Sequence, residues 1–192
     1  MSEGLVMNIY KIKPQAASEN IVVDFGAELN SKLWDVFLGD DRSETENFLN
    51  INGSSQVDNF NNLIDCSDFL SCVVPFPIFS KRAVDVLREL DCLSFLNVGV
   101  DGVCKFSIGL VNAKAKFVDE EKSKYKILTN GDRMLSVVAY REPLESFFIA
   151  RDEKYYSNFV VSDDFVERCK KNNLKIRFEK IEYGHPKSFF NR

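Results

Sequence analysis

The sequence is poor in the residue type that most catalytic centres near neutral pH need, because it contains a single histidine, His185. Imidazole is the side chain whose ordinary pKa lies near neutrality, and many zinc sites and acid–base centres use it. One histidine excludes a two-histidine metal site and argues against a buried Ser-His-Asp triad. We therefore expect a protein that is not an enzyme and that has no metal and no cofactor.

Disulfide and membrane-spanning patterns are also missing. The five cysteines are odd in number and form no C-x-x-C pair, which predicts reduced thiols in a cytosolic protein. The longest uncharged apolar run, residues 69–80, is too short to cross a bilayer and is broken by two prolines. The first residues lack a basic region followed by an apolar stretch, so no secretory signal is predicted. The expected location is the cytoplasm, without a membrane partner.

Positive charge is scarce in the first third of the chain. The net charge is −4 and the sequence pI about 5.2, which disfavours nucleic acid as the main partner, because phosphate neutralisation requires a basic surface. Residues 1–64 carry 4 basic and 10 acidic side chains, whereas residues 113–192 carry 17 and 13. An acidic N-terminal part suits a basic protein partner. An ordinary solvated surface would explain the same distribution.

Hydrophobic periodicity predicts an α+β fold with antiparallel-rich sheets and a few capped amphipathic helices. Helices are expected over residues 28–38, after Ser80 and after Ser162, since a serine hydroxyl can accept a free N–H of the first turn. An Asp101-Gly102 hairpin turn is expected, and residues 50–55 are turn-rich. Strands are expected at residues 8–13, 20–24, 92–98, 104–110, 133–140, 147–151, 155–161 and 174–178.

One pattern occurs twice along the chain. The segment S-x-x-A-V-D-x-L-R that begins at Ser80 returns as S-x-x-F-V-E-x-C-K at Ser162. The repetition is compatible with two similar strand–helix–strand lobes, and equally with chance similarity of two capped helices. We expect one compact domain over residues 1–192. Its sub-lobes would be residues 7–100 and 101–183, followed by a tail, 184–192.

Two groups of carboxylates are the candidate site residues. The first group lacks the ligand spacing and central glycine of a calcium loop, so metal binding is not expected there. In the second group adjacent side chains diverge, which predicts a hydrated charged turn. A carboxylate-only metal-dependent hydrolase with Asp119 and Glu121 as ligands is the alternative. The groups are Asp40, Asp41, Glu44 and Glu46, and then Asp119, Glu120 and Glu121.

The order of several segments resembles a bacterial family assigned to polymorphic-toxin immunity, the eleventh in that numbering scheme. Residues 7–14 (MNIYKIKP) are similar to its first strand, and residues 77–83 (PIFSKRA), after Asp68-Phe69, to its strand into a capped helix. Residues 118–123 (VDEEKS) resemble its charged step. Its closing elements resemble residues 147–151, 159–165 and 174–178. The family's closing G-x-x-F stands here as Lys175-Ile176-Arg177-Phe178, without the glycine.

This resemblance implies a cytosolic protein that binds a cognate toxin and blocks it by steric occlusion. The resemblance does not indicate which residues would contact the toxin, and it does not identify the toxin's activity. For a basic toxin, the four acidic residues between positions 40 and 46 are the first expected contacts and those at 119–121 the second. A non-catalytic adaptor in a larger assembly is a further alternative.

Overall fold

The computed structural model describes residues 7–38, 51–58, 60–185 and 187–188. Helices α1 (Ala27–Leu38), α2 (Phe60–Leu63), α3 (Lys81–Leu87) and α4 (Asp163–Lys171) accompany a 3-10 turn at Ala16–Ser18. The described strands are β1 (Ile9–Lys13), β2 (Val22–Val23), β3 (Ile51–Gly53), β4 (Phe69–Cys72), β5 (Ile78–Ser80), β6 (Leu93–Val100), β7 (Val103–Val111), β8 (Lys114–Ala115), β9 (Lys124–Ile127), β10 (Arg133–Val138), β11 (Ile149–Asp152), β12 (Phe159–Ser162), β13 (Arg177–Lys180) and β14 (Lys187–Ser188). The α+β class expected from the sequence is confirmed.

The largest sheet has six strands in the order β2-β4-β5-β7-β6-β3. Its interior pairs are antiparallel, while β2 runs parallel to β4 and β3 runs parallel to β6. The β6–β7 hairpin turns at Asp101 and Gly102, whose φ angles of 47° and 77° are those of a type I′ turn. The Asp-Gly hairpin expected from the sequence is therefore confirmed.

A five-stranded sheet has the order β13-β1-β12-β11-β8, and a three-stranded sheet has the order β14-β10-β9. In the five-stranded sheet β1 lies between β12 and β13, so the first described strand pairs with two strands from the C-terminal part of the chain. In the second, Lys187–Ser188 pairs with β10, so part of the expected tail forms a strand.

Both serine caps are confirmed. The Ser80 Oγ accepts a hydrogen bond from the Ala83 N–H at 3.2 Å, and the Ser162 Oγ accepts one from Phe165 at 3.4 Å. The two helices contribute to one buried core, in which Leu87 of α3 and Phe165 of α4 are fully buried. An Arg168–Glu89 ion pair of 2.8 Å adds a link at the surface. The repeated pattern therefore marks two capped helices that share a core.

Several elements differ from the sequence-based expectation. Residues 51–53, in the expected turn, form strand β3, because Ile51 is buried beside Val98 of β6. The expected final strand begins later, at Arg177. Helix α2 and strands β4, β8 and β9 have no counterpart among the elements expected from the sequence. No described helix is long and apolar enough to cross a membrane.

The boundary expected between two sub-lobes falls in the tight turn between β6 and β7. These strands pair along nearly their whole length, from Leu93 opposite Val111 to Val100 opposite Val103. The core that contains Leu87 and Phe165 also includes residues from both expected sub-lobes, such as Ile12 and Leu174. The two halves are thus joined by a hairpin and by a common core.

Candidate functional site

The first group of predicted contact residues, Asp40, Asp41, Glu44 and Glu46, lies outside the described residues. These contacts remain predictions. The second group occupies the turn that leads into β9, as the sequence indicated.

The side chains of Asp119 and Glu120 already have partners within this turn. The Asp119 Oδ1 accepts hydrogen bonds from the N–H groups of Glu121 and Lys122, both at 3.2 Å. Glu120 forms an ion pair with Lys154, whose hydrogen bond holds the pKa of Glu120 below its usual range. Among residues 7–38, 51–58, 60–185 and 187–188, no three His, Cys, Asp or Glu side chains form a group that could hold a metal ion. The geometry is that of a solvated, locally neutralised turn.

The β9–β10 hairpin presents an unusual outer face. In the strand register Ile127 lies opposite Arg133, and Tyr125 lies opposite Leu135, so these side chains share one face. The Arg133 guanidinium carbon is 4.4 Å from the centroid of the Tyr125 ring, a cation–π contact. Ile127 is 78% exposed. A large apolar side chain, a tyrosine and an arginine therefore lie together at the surface.

This face continues across the neighbouring turn toward the acidic residues. The hydroxyl groups of Tyr125 and Tyr155 are hydrogen-bonded at 2.8 Å, and the Lys154 ammonium lies 5.5 Å from the Tyr155 ring centroid. Burial and the hydrogen bond with Tyr125 raise the pKa of Tyr155, so its hydroxyl stays neutral. We call Tyr125, Ile127, Arg133, Lys154 and Tyr155 the hairpin face. Through the Lys154–Glu120 ion pair it is continuous with the predicted acidic turn.

No family model matches this chain, and no curated protein matches its sequence.

A second surface feature is a cavity of about 480 Å³ between α3 and the β6–β7 hairpin. Its described lining includes three cationic side chains and no carboxylate. The floor is polar, because the Ser107 Oγ donates to the Asn97 Oδ1 at 3.0 Å across the strand pair. The cationic side chains are Lys81, Arg88 and Lys105.

An adjoining cavity of about 370 Å³ extends this feature toward α2. The two cavities share Lys81, Lys105 and Phe106 in their linings, so they form one groove, which we call the basic groove. The second cavity adds Arg82, Lys175 and two aspartates, of which Asp68 forms an ion pair with Arg82.

Burial disfavours the thiolate form of three of the cysteines. All five cysteines are free, as the sequence indicated. Burial raises the pKa of both Cys72 and Cys169 to about 12, so these two thiols are neutral near pH 7. Burial also raises the pKa of Cys92.

Sequence reasoning missed both surfaces, although one of them carries a local signal. Asn130-Gly131 is a dipeptide typical of tight hairpins, and Gly131 has a φ of +88°. Tyr125 and Ile127 alternate with lysines in the preceding strand. The basic groove has no such signal, because Lys81 and Lys105 are distant in sequence and are brought together only by the fold.

Proposed function

We propose that the protein is an immunity protein that binds a cognate bacterial toxin and neutralises it by steric occlusion. The hairpin face is the observation that carries this proposal. Tyrosine and arginine are enriched in the energetically dominant positions of protein interfaces, and exposed apolar side chains favour burial against a partner. In this face an isoleucine that is 78% exposed stands directly opposite an arginine.

The electrostatics of the same region also favour a protein as the partner. Lys154 and Arg133 lie on the hairpin face, and Glu120 of the neighbouring turn pairs with Lys154. A surface that carries both positive and negative side chains favours specific protein recognition, whereas nucleic-acid binding requires a predominantly positive surface. The family resemblance, with its order of matching segments from residue 7 to 178, is the reason for proposing a toxin as the partner and the cytoplasm as the location.

The test is co-expression of this chain with the product of the neighbouring gene, scored by survival of the bacterial host. We expect survival only when the chain is present. The double variant Ile127→Ser/Arg133→Ala should weaken binding to the toxin by about tenfold, because two side chains of the interface are truncated. Affinity measured with the two purified proteins would check this value.

The matched control is Leu144→Ser, which alters an apolar side chain that is 96% exposed and lies outside the hairpin. This variant should bind and protect like the unaltered chain. Equal survival with and without the protein would contradict the proposed function. An unchanged affinity of the hairpin double variant would exclude the hairpin face as the contact.

A further inference from the structure

The basic groove contains two lysines for which the described part of the chain supplies no ion-pair partner. Lys81 and Lys105 line both of its cavities, and neither has an ion-pair partner among the described residues. In a chain whose net charge is −4, these two ammonium groups make the groove locally positive. An anionic group would therefore be attracted to this part of the surface.

The two arginines of the groove are already engaged. Arg82 forms an ion pair with the buried Asp68, and Arg88 forms one with Asp85, which is not part of the lining. Arginine is the side chain suited to bidentate phosphate recognition, whereas lysine is a flexible point charge. The cations left to bind a ligand are thus two separate lysines, which attract an anionic group as point charges.

Besides the lysines, the groove is lined by hydrogen-bond donors and apolar side chains. Because the Asn97 Oδ1 accepts from Ser107, the amide N–H groups of Asn97 are left as donors to a ligand. Val84 of α3 and Phe106 of β7 are apolar members of the lining. The two joined cavities make the groove longer than a single carboxylate requires.

We propose that the basic groove binds an acidic segment of the partner protein, with Lys81 and Lys105 as the principal cationic contacts. That the acidic segment belongs to a toxin rests on the proposed function, whereas the affinity of the groove for carboxylates does not. The groove would add a second, electrostatic contact to the one made by the hairpin face.

The experiment uses the full chain and a fluorescein-labelled hexaglutamate peptide, with binding followed by fluorescence anisotropy at low salt. We expect saturable binding that weakens as the salt concentration rises. The double variant Lys81→Glu/Lys105→Glu should bind about tenfold more weakly, because two attractive charges become repulsive. The control Lys171→Glu/Lys180→Glu makes the same change of net charge at two exposed lysines outside the groove, and it should bind within about twofold of the unaltered chain.

Equal weakening in the two double variants would overturn the proposal, because the effect would then come from net charge alone. Competition by inorganic pyrophosphate at concentrations lower than those of unlabelled hexaglutamate would also overturn it, in favour of a phosphate site. Circular dichroism of each variant checks that the fold is intact. Because the peptide assay contains no toxin, its failure leaves the proposed function standing. Conversely, if the groove bound the peptide but the chain did not protect the host in the co-expression test, the proposed immunity function would be contradicted. The proposed affinity of the groove for carboxylates would not be.

Discussion

Replacing Asp152 by alanine should lower the free energy of unfolding by about 4 kcal/mol. The Asp152 carboxylate is buried at the end of β11 and accepts hydrogen bonds from four backbone N–H groups. Its Oδ2 accepts from Phe117 at 3.1 Å and from Val118 at 2.9 Å. Its Oδ1 accepts from Lys154 at 3.0 Å and from Tyr155 at 2.9 Å. Alanine would leave these donors without their acceptor, and the first two are buried.

Urea unfolding followed by circular dichroism measures this loss. Asp152→Asn retains one carbonyl oxygen as an acceptor, so its loss should be about half as large. The neighbouring substitution Glu153→Ala is the control. Glu153 is exposed and lies 4.0 Å from Lys116, so its removal should change stability by less than about 0.5 kcal/mol. If Asp152→Ala lowered the free energy of unfolding as little as this control, the four hydrogen bonds would not contribute to the stability of the fold.

The same carboxylate positions part of the proposed interface. Two of its four donors are the N–H groups of Lys154 and Tyr155, whose side chains belong to the hairpin face. The other two precede the acidic turn, at Phe117 and Val118. Asp152 therefore ties the turn that carries Tyr155 to the segment that leads into β9. A loss of toxin binding in Asp152→Asn would follow from displacement of this turn, since the carboxylate itself is buried.

Local features of the fold could be predicted because their causes are local. Each helix cap consists of a serine and an N–H three residues later, and the hairpin between β6 and β7 depends on the Asp101-Gly102 pair alone. The α+β class followed from the spacing of apolar residues within single segments. For the same reason the errors concern segments whose pairing is remote, such as β3, which runs parallel to a strand more than 40 residues later in the chain.

The role of Asp152 could not be predicted in this way. In the sequence, Asp152-Glu153-Lys154 is a charged triplet typical of an exposed turn, yet Asp152 is 3% exposed. Two of its donors lie 34 and 35 residues away along the chain, and the parallel pairing of β8 with β11 brings them near. The basic groove and the hairpin face likewise depend on contacts between separate segments.

Asp68→Asn is the second substitution for which we expect a large effect, a loss of about 3 kcal/mol at neutral pH. Asp68 is buried and accepts hydrogen bonds from the Ser80 hydroxyl at 2.5 Å and from the Lys175 N–H at 2.6 Å, besides its ion pair with Arg82. It thereby fixes the beginning of α3, where Lys81 lines the basic groove, to the segment before β13. Because Arg82 is half-exposed, we assign most of the effect to the hydroxyl and N–H donors.

The pH dependence distinguishes this role of Asp68 from simple packing. Burial by itself raises the pKa of Asp68, but the hydrogen bonds from Arg82, Ser80 and Lys175 outweigh it and hold the pKa below its ordinary value. A carboxyl group with a lowered pKa stabilises the fold fully above its unfolded-state pKa of about 4, and this contribution disappears as the pH falls through the lower folded-state pKa. The stability difference between the unaltered chain and Asp68→Asn should therefore shrink as the pH is lowered from about 6 to about 3, measured by urea unfolding at each pH. A difference that stayed constant over this range would show that the charge of Asp68 does not contribute, and that the substitution acts through shape alone.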